Sequence, residues 1–540
     1  MTATPLASPP TDAAATTPSA LGGVARGGVA GILGAGVAGL AGLAVTWLVA
    51  HRLGPAHAGA FFAATAAFVL AATLAKLGTQ TGLVYWPARL RARGHGFLLG
   101  ACLRIAFAPV VVAALAVAAA LFAWAPELAR MIDASAGSPL AGQLRLLAAF
   151  VPVAVLTDTL LAATRGYRLI RPTVLLDKLA RPALQVLGIA GVAVAGVSAP
   201  EGFVLAWAVP YLPAMLLAGY ALHRAHAATT ADIAARPVKR SHRAGMRRAF
   251  WRFTGPRSVA SVAQLALQRV DVLLVAALAG LGAAGLYAVA GRFVVLGQFA
   301  NQGISQAVQP RLAEALAVRD RAGANALYRT ATGWLVLLTW PLYLLVMTYA
   351  PAYLAIFGDA YRDGARIVVV LAAAMMLATG CGMVDIVLSM AGRTSWNLGN
   401  VAVALGLTVA IDLALIPRLG ALGAAVGLAA AVVANNLLPL AQVGLALGLH
   451  PFGAGWLAAA AVTVVSFGVA PRVVALVAGD SPAGHAAAVT VAVAVYLAGA
   501  YLLRGPLALD ALRALRPGRK RSRGEKERAC VPVPSPQSRS

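Results

Sequence analysis

The chain has 540 residues, of which 60% are hydrophobic and 11% are charged, and its mean hydropathy is +0.80. Soluble domains carry about 25% charged residues, so a water-soluble fold is excluded. The formal net charge of +26 does not indicate a nucleic-acid partner. The basic residues lie between apolar stretches of membrane-spanning length, and the preference of cytoplasmic loops for Lys and Arg explains them.

Segment 1–24 is predicted to be a disordered N-terminal tail. Its first twenty residues are rich in Ala, Thr, Pro and Ser and contain no Lys or Arg. A secretory signal peptide begins with a basic segment, so this composition argues against a cleaved signal.

About fourteen apolar runs follow between residues 28 and 503. Each has the ~20 residues that a helix needs to cross the hydrocarbon core of a bilayer, and each ends at charges or at Pro and Gly turns. The first two runs cover 28–50 and 58–85, and the fifth covers 177–198. The sequence therefore predicts an all-α integral membrane protein, with both termini on one side of the membrane because the number of spans is even.

Basic residues are concentrated in alternate loops, at 89–93, 165–171 and 224–252, and again in the C-terminal tail. The intervening loops contain isolated arginines: Arg52, Arg130, Arg362, Arg418 and Arg472. The positive-inside rule then places the basic loops and both termini in the cytoplasm. We expect the basic loops and the tail to contact anionic lipid headgroups.

The two halves of the chain repeat each other at an offset of 226 residues. LGPAHAGAFFAA at 53–64 aligns with AGLGAAGLYAVA at 279–290, which pairs Gly54 with Gly280. The same offset pairs Gly166 with Gly392. Six helices per half give repeats of the same orientation, so the sequence predicts two parallel six-helix lobes around a central cavity plus two C-terminal helices. The predicted segments are 1–24 (tail), 25–222 (first lobe), 223–252 (basic cytoplasmic linker), 253–447 (second lobe), 448–505 (two extra helices) and 506–540 (basic tail).

Five strings carry a family resemblance. They are HRLGPAHAGAFFAA at 51–64, DVLLVAALAGLGAAGLYAVAGR at 271–292, QPRLAEAL at 309–316, PAYLAIFGDAYRDGA at 351–365 and LSMAGRTSWNLGN at 388–400. In these the chain resembles the polysaccharide or O-antigen flippase branch of the multidrug/oligosaccharidyl-lipid/polysaccharide exporter superfamily. The resemblance implies a V-shaped pair of lobes whose cavity opens alternately to each side of the cytoplasmic membrane. It also implies an undecaprenyl-diphosphate-linked oligosaccharide as substrate and, as a possible partner, the polysaccharide synthesis machinery.

Three cations lie deep in predicted spans: Lys76, Arg269 and Arg292. Each would cost ~2.5–3.5 kcal/mol if it faced lipid, so each should face protein or water. In the fold that the resemblance implies, their helices line the cavity, where these side chains could bind a diphosphate. The alternative is structural: Arg269 pairs with Asp271, Lys76 reaches the headgroups, and Arg292 satisfies a helix end.

A polar stripe is predicted on the eighth span. Gln298, Gln302 and Gln306 recur at helical spacing and lie on one face, near Asn301 and Ser305. Sugar hydroxyls need such donors and acceptors, but polar contacts between helices would explain the stripe equally well.

Four intramembrane acids, Asp158, Asp271, Asp385 and Asp412, are candidates for proton or sodium coupling, because a buried carboxylate is costly unless it is used or paired. Asp158 and Asp385 lie close to equivalent positions of the two repeats. The first span contains no acidic residue, whereas many drug antiporters of the superfamily have an aspartate there. This difference argues against a cation-coupled multidrug or metabolite antiporter, which is the alternative function.

No catalytic signature is present. The sequence contains no HExxH, GxSxG or Walker-A motif in a suitable context, and no large outer loop carrying carboxylates of the kind that a sugar polymerase or ligase would need. Cys102, Cys381 and Cys530 lack metal-ligand spacing. We therefore expect a transporter with no cofactor and no metal centre.

Overall fold

The computed structural model of the protein describes residues 18–132, 139–197, 199–231, 240–478 and 481–509. Over these ranges every regular element is a helix. The expected all-α fold is confirmed. Residues 1–17 and 510–540, which make up most of the two predicted tails, lie outside the described ranges.

The first half of the chain forms seven helices and two irregular helical turns. The helices are α1 (Pro18–Ala75), α2 (Thr79–Ala92), α3 (Leu99–Ile132), α4 (Leu140–Gly166), α5 (Arg181–Val194), α6 (Pro200–Ala208) and α7 (Tyr211–Thr230). A 3₁₀ turn over Gly96–Leu98 leads into α3, and a widened π-type stretch over Thr173–Ala180 leads into α5.

The second half contains shorter and more often interrupted helices. They are α8 (Arg240–Ala279), α9 (Leu281–Ala290), α10 (Phe293–Ala317), α11 (Arg321–Thr348), α12 (Ala350–Ala355), α13 (Ala365–Cys381), α14 (Val384–Met390), α15 (Thr394–Leu419) and α16 (Ala421–Leu447). A 3₁₀ turn covers Asp359–Gly364. The chain continues in α17 (Ala454–Thr463), a π-type stretch over Val464–Val469, α18 (Ala470–Ala478) and α19 (Pro482–Leu502).

Twelve helical segments of the described residues are long and apolar enough to cross a membrane, which makes the protein a multi-pass membrane protein. One of them, Gly36–Arg91, has 56 residues and would be about 84 Å long if it were straight, far more than a ~30 Å hydrocarbon core requires. A kink at Gly54 (φ 69°, ψ 175°) divides it into the two predicted spans. The widened stretch and α5 together cover most of the predicted fifth span. The structure thus has two membrane-spanning segments fewer than the fourteen predicted, because two spans are joined in one helix and one span is interrupted.

The repeat is visible in the backbone. Gly280, between α8 and α9, has φ 87° and ψ 168°, close to the angles of Gly54. Both angles lie where a side chain would be strained, so each junction requires glycine. The repeats then diverge, because α1 continues to Ala75 while α9 ends at Ala290 and the chain turns at Gly291 before α10.

The two halves cross closely just after these junctions. A Cβ atom on Gly59 would lie 1.7 Å from the Leu281 carbonyl oxygen, and one on Gly285 would lie 2.2 Å from the Pro55 carbonyl oxygen. These contacts are equivalent under the 226-residue offset, so α1 and α9 meet on the pseudo-twofold axis. The largest hydrophobic core surrounds this crossing and contains residues of both halves.

The basic segment 223–252, predicted as a linker, contributes the end of α7 and the start of α8. Residues 232–239 between them lie outside the described ranges. The start of α8 packs on α2 of the first half, where the rings of Tyr85 and Phe253 stack at 4.4 Å. This helix therefore contacts both halves of the molecule.

Candidate functional site

A cavity of about 430 Å³ lies inside the second half, between α8, α10, α11, α13, α14, α15 and α16. Most of its polar lining consists of side-chain amides. They are Gln264, Gln268, Gln298, Asn301, Gln302, Asn397, Asn435 and Asn436. A chamber of this kind within membrane-spanning helices can hold water or a polar ligand, because lipid could not solvate these groups.

Four glutamines of this lining are arranged as two helical pairs. Gln264 and Gln268 lie one turn apart on α8, and Gln298 and Gln302 lie one turn apart on α10, so each pair occupies one face of its helix. All four side chains are exposed, and none makes a hydrogen bond to another described residue. Their donors and acceptors are therefore free for a ligand.

The predicted polar stripe on α10 thus faces the cavity at Gln298 and Gln302. The side chain of Gln306 lies outside the described residues. Amide side chains do join helices elsewhere: Asn400 on α15 and Gln442 on α16 exchange two hydrogen bonds of 2.9 Å. The α10 glutamines make no such bonds within the described structure.

Asp385 is the one charged residue in the cavity lining that the structure describes. It lies in the first turn of α14, after a helix break at Gly382 (φ 74°). Asn397 supports this turn by donating hydrogen bonds to the Asp385 carbonyl oxygen (2.7 Å) and to the Ser389 hydroxyl (2.9 Å). The break and the amide together direct this part of the helix into the cavity.

Arg269 and Arg292 are left without partners. In the described part of the structure neither makes a hydrogen bond or an ion pair, and the Nε atom of each is buried. Arg292 lies at the turn between α9 and α10, with its guanidinium 5.2 Å from the centre of the Phe62 ring on α1. It is close enough to Arg269 for Coulombic repulsion. Two guanidinium groups without a hydrogen-bonded or ion-paired partner among the described residues thus lie near the crossing of the halves, and Asp271 is close enough to Arg269 for Coulombic attraction.

The alternative pairing of Arg269 with Asp271 is not formed. Asp271 Oδ2 accepts a 2.5 Å hydrogen bond from the Tyr287 hydroxyl, and Oδ1 accepts one from the backbone N–H of Val272 at 2.8 Å. Asp271 is 4% exposed. Its two oxygens are therefore already used by groups other than the guanidinium.

Lys76 lies in a different environment from the two arginines. Its Nζ pairs with Asp158 Oδ2 at 2.9 Å, which joins the end of α1 to α4. A second paired group lies on the stretch before α5, where Asp177 contacts Lys178 at 2.9 Å and Arg181 at 2.5 Å. Asp158 and Asp177 are thus both paired with cations, so Lys76 does not join the two arginines as a free cation.

Asp412 is the most isolated of the four candidate acids. It is fully buried on α15, and neither carboxylate oxygen has a hydrogen-bond partner among the described groups. Gly427 of α16 provides the space, since a Cβ there would lie 2.0 Å from Asp412 Oδ1. Asp271 is near enough to interact electrostatically. The fold therefore places Asp412 within electrostatic range of Asp271, while Asp158 pairs with Lys76 and Asp385 faces the cavity.

Such a carboxylate pair can retain a proton or accept a monovalent cation. No cluster of three or more His, Cys, Asp or Glu residues suited to a metal ion occurs within the described ranges.

The cavity residues on α8 and α16 were not predicted from the sequence. The signals were present: Gln264 and Gln268 are spaced by one helical turn in an apolar span, and Asn435 and Asn436 are adjacent in another. Only the assembly of the helices shows that they face one space.

Residues 53–366 match the family model described as polysaccharide biosynthesis protein. No curated protein sequence matches the chain significantly. Among solved structures, the chain is similar to the lipid II flippase MurJ in an inward closed conformation, with a TM-score of 0.67 and 13% identity over 87% of this chain and 98% of that one.

Two further structures share the fold. An inward-facing multidrug resistance MATE family transporter of the MOP superfamily has a TM-score of 0.59 and 14% identity, over 76% of this chain and 95% of its own. A MOP superfamily transporter from Pyrococcus furiosus Vc1 has a TM-score of 0.51 and 16% identity, over 79% and 95%. Because the family model covers more than half of the chain, this protein belongs to the polysaccharide biosynthesis protein family, and it has the fold of the MurJ and MATE transporters.

Proposed function

We propose that this protein flips an undecaprenyl-diphosphate-linked oligosaccharide across the cytoplasmic membrane for the export of cell-surface polysaccharide. The amide-lined cavity is the observation that carries the proposal. Each glutamine amide has donors and acceptors, as each sugar hydroxyl has. Four unpaired glutamines around one chamber inside the membrane suit a polyhydroxylated head group better than an apolar drug.

Arg269 and Arg292 supply the second element of the proposed site. A charged side chain costs ~2.5–3.5 kcal/mol in a membrane interior on insertion scales, and neither guanidinium forms an ion pair within the described structure, so we expect an anion to bind there. A diphosphate accepts bidentate, charge-assisted hydrogen bonds from guanidinium groups. Gln298 follows Arg292 by six residues of α10, about 9 Å along the helix, so a diphosphate at the arginines could be followed by sugars in the cavity.

We assign energy coupling to Asp271 and Asp412. Both are buried in the second half, they lie on α8 and α15, and Asp412 has unused oxygens among the described contacts. A proton or a monovalent cation bound there would change the charge between these helices and thereby bias the halves toward one arrangement. The alternative, a cation-coupled drug antiporter, is disfavoured because the unpaired groups near the crossing are cationic.

The basic loops lead us to place both termini in the cytoplasm. On this orientation, the crossing at Gly59 lies toward the outer surface, and the basic ends of α7 and α8 lie at the inner surface. We keep the two six-helix lobes, with the C-terminal helices added, as the proposed domain organisation. Contacts of the basic segments with anionic lipids or with synthesis enzymes belong to the same proposal.

Mass spectrometry of lipids tests the function directly. Cells depleted of this protein would be rescued with the native chain, with Arg269→Ala, with Arg292→Ala or with the control Arg130→Ala, whose side chain is exposed and pairs with Glu127 outside the site. We expect an undecaprenyl-diphosphate oligosaccharide to accumulate on depletion and to be cleared by the native and control chains but not by the two site variants. An unchanged lipid pool on depletion would overturn the proposal.

A further inference from the structure

The cavity in the second half carries one sign of charge. Among the described residues that line it, none is a Lys, Arg or His, and Asp385 is the single ionisable group apart from the Tyr343 hydroxyl. The two unpaired arginines do not line it. The described lining of the chamber is therefore acidic or neutral, whereas the two arginines suit an anion.

We infer that this cavity selects oligosaccharides built from uncharged sugars, and that Asp385 excludes acidic sugars such as uronic acids. The inference rests on the proposed function and names the class of glycan that the site takes. In this proposal Arg269 and Arg292 bind the diphosphate, and the amide-lined cavity binds the neutral sugars.

The chemistry of the amides supports this assignment. An amide side chain offers an N–H₂ donor and a carbonyl acceptor, and a hydroxyl can form a hydrogen bond with either of them. A sugar carboxylate accepts only, so it can use the N–H₂ groups of Gln264, Gln268, Gln298 and Gln302 but leaves their carbonyl oxygens without a donor. Desolvation of a carboxylate is also unfavourable in a chamber whose described lining offers no cationic side chain.

The position of Asp385 is determined by the fold. The break before α14 is held by Gly382, where a Cβ atom would lie 2.2 Å from the Thr332 hydroxyl of α11, and by the two hydrogen bonds from Asn397. The Asp385 side chain is exposed to the cavity and makes no ion pair within the described structure. Its charge therefore acts on whatever occupies the chamber and is not neutralised by a neighbour.

Binding to the purified full chain in lipid nanodiscs tests the inference with three probes. All three share one short polyprenyl diphosphate: one carries no sugar, one carries a neutral disaccharide of N-acetylglucosamine and galactose, and one carries the same disaccharide with galacturonic acid in place of galactose. We expect the neutral probe to bind on the order of tenfold more tightly than the acidic one, which corresponds to about 1.4 kcal/mol.

Two variants locate the effect. Asp385→Asn should reduce the difference between the neutral and acidic probes several-fold, and the control Asp363→Asn, at an exposed position outside the lining, should leave it unchanged. Gln302→Leu should weaken the neutral probe but not the sugar-free probe. The comparison of the neutral and acidic probes on the native chain tests the preference for uncharged sugars even if a variant fails to fold.

The outcomes separate this inference from the proposed function. Equal binding of the neutral and acidic probes, with both stronger than the sugar-free lipid, would overturn the inference and leave the flippase assignment standing. Failure of all three probes to bind would overturn the flippase assignment itself. Tighter binding of the acidic probe would show that the cavity has the opposite preference.

Discussion

The crossing of α1 and α9 predicts a large effect from a very small substitution. In Gly59→Ala the new methyl group would lie 1.7 Å from the Leu281 carbonyl oxygen, whereas ordinary contacts begin at 3.4 Å. The helices would have to separate by well over 1 Å, and because the obstacle is backbone it cannot rotate away. Overpacking of this kind costs about 1–3 kcal/mol, and we expect the upper part of that range.

Thermal unfolding in detergent, followed by tryptophan fluorescence, measures this cost. Gly42→Ala is the matched control, since Gly42 lies on the same helix and a Cβ there meets nothing within 4 Å. The control should be neutral or more stable by up to about 1 kcal/mol, because alanine favours the helix. Gly59→Ala should unfold at a clearly lower temperature than both the control and the native chain.

The pseudo-symmetry extends the test to Gly285. Gly285→Ala would bring a methyl group 2.2 Å from the Pro55 carbonyl oxygen, so it should destabilise by a similar but smaller amount. The double variant should cost less than the sum, because one separation of the helices relieves both contacts. If Gly59→Ala were as stable as Gly42→Ala, or if the two glycine effects were simply additive, the close crossing described here would be refuted.

Three further predictions concern buried charge and backbone conformation. Lys76→Ala should destabilise the protein by about 3 kcal/mol because it leaves Asp158 unpaired, and the double variant with Asp158→Ala should regain most of this in thermal unfolding; a double variant no more stable than the single one would contradict the pairing. Asp412→Asn should leave the fold intact but abolish the dependence of transport on an ion gradient in proteoliposomes, and retention of that dependence would remove Asp412 from coupling. Gly382→Ala should destabilise more than Gly392→Ala in the same unfolding assay, because both have positive φ but only Gly382 also meets a hydroxyl group at 2.2 Å; equal losses would show that packing against α11 is not tight.

Much of the architecture could be predicted because it depends on one-dimensional properties. Apolar length defines a membrane span, whereas the orientation that charge asymmetry indicates stays a prediction. Gly54 and Gly280 could be paired from their surrounding strings, and the backbone shows the reason, since both adopt a conformation that only glycine takes readily. The structure has twelve long apolar helices where fourteen were predicted, because one helix continues across the kink at Gly54 and another is interrupted by a π-type stretch. Hydropathy does not indicate either feature.

The site was predicted less completely. The stripe on α10 was found because its members share one helix, so helical periodicity reveals them. Gln264 and Asn435 lie on other helices, and nothing local indicates that they face the same chamber. The three deep cations looked alike in the sequence, yet Lys76 forms an ion pair whereas Arg269 and Arg292 form none with the residues that the structure describes.

The sequence by itself determined that the chain spans a membrane many times, that its halves repeat, and that charges are buried in its spans, because composition, period and burial cost are carried by each segment alone. The tertiary structure decided which of those charges are neutralised. Lys76 meets Asp158 across 82 residues, and Asp412 approaches Asp271 only where α15 packs on α8. Such pairings depend on the distances between helices, which are set by how the helices pack. The spacing of residues within one segment does not determine those distances.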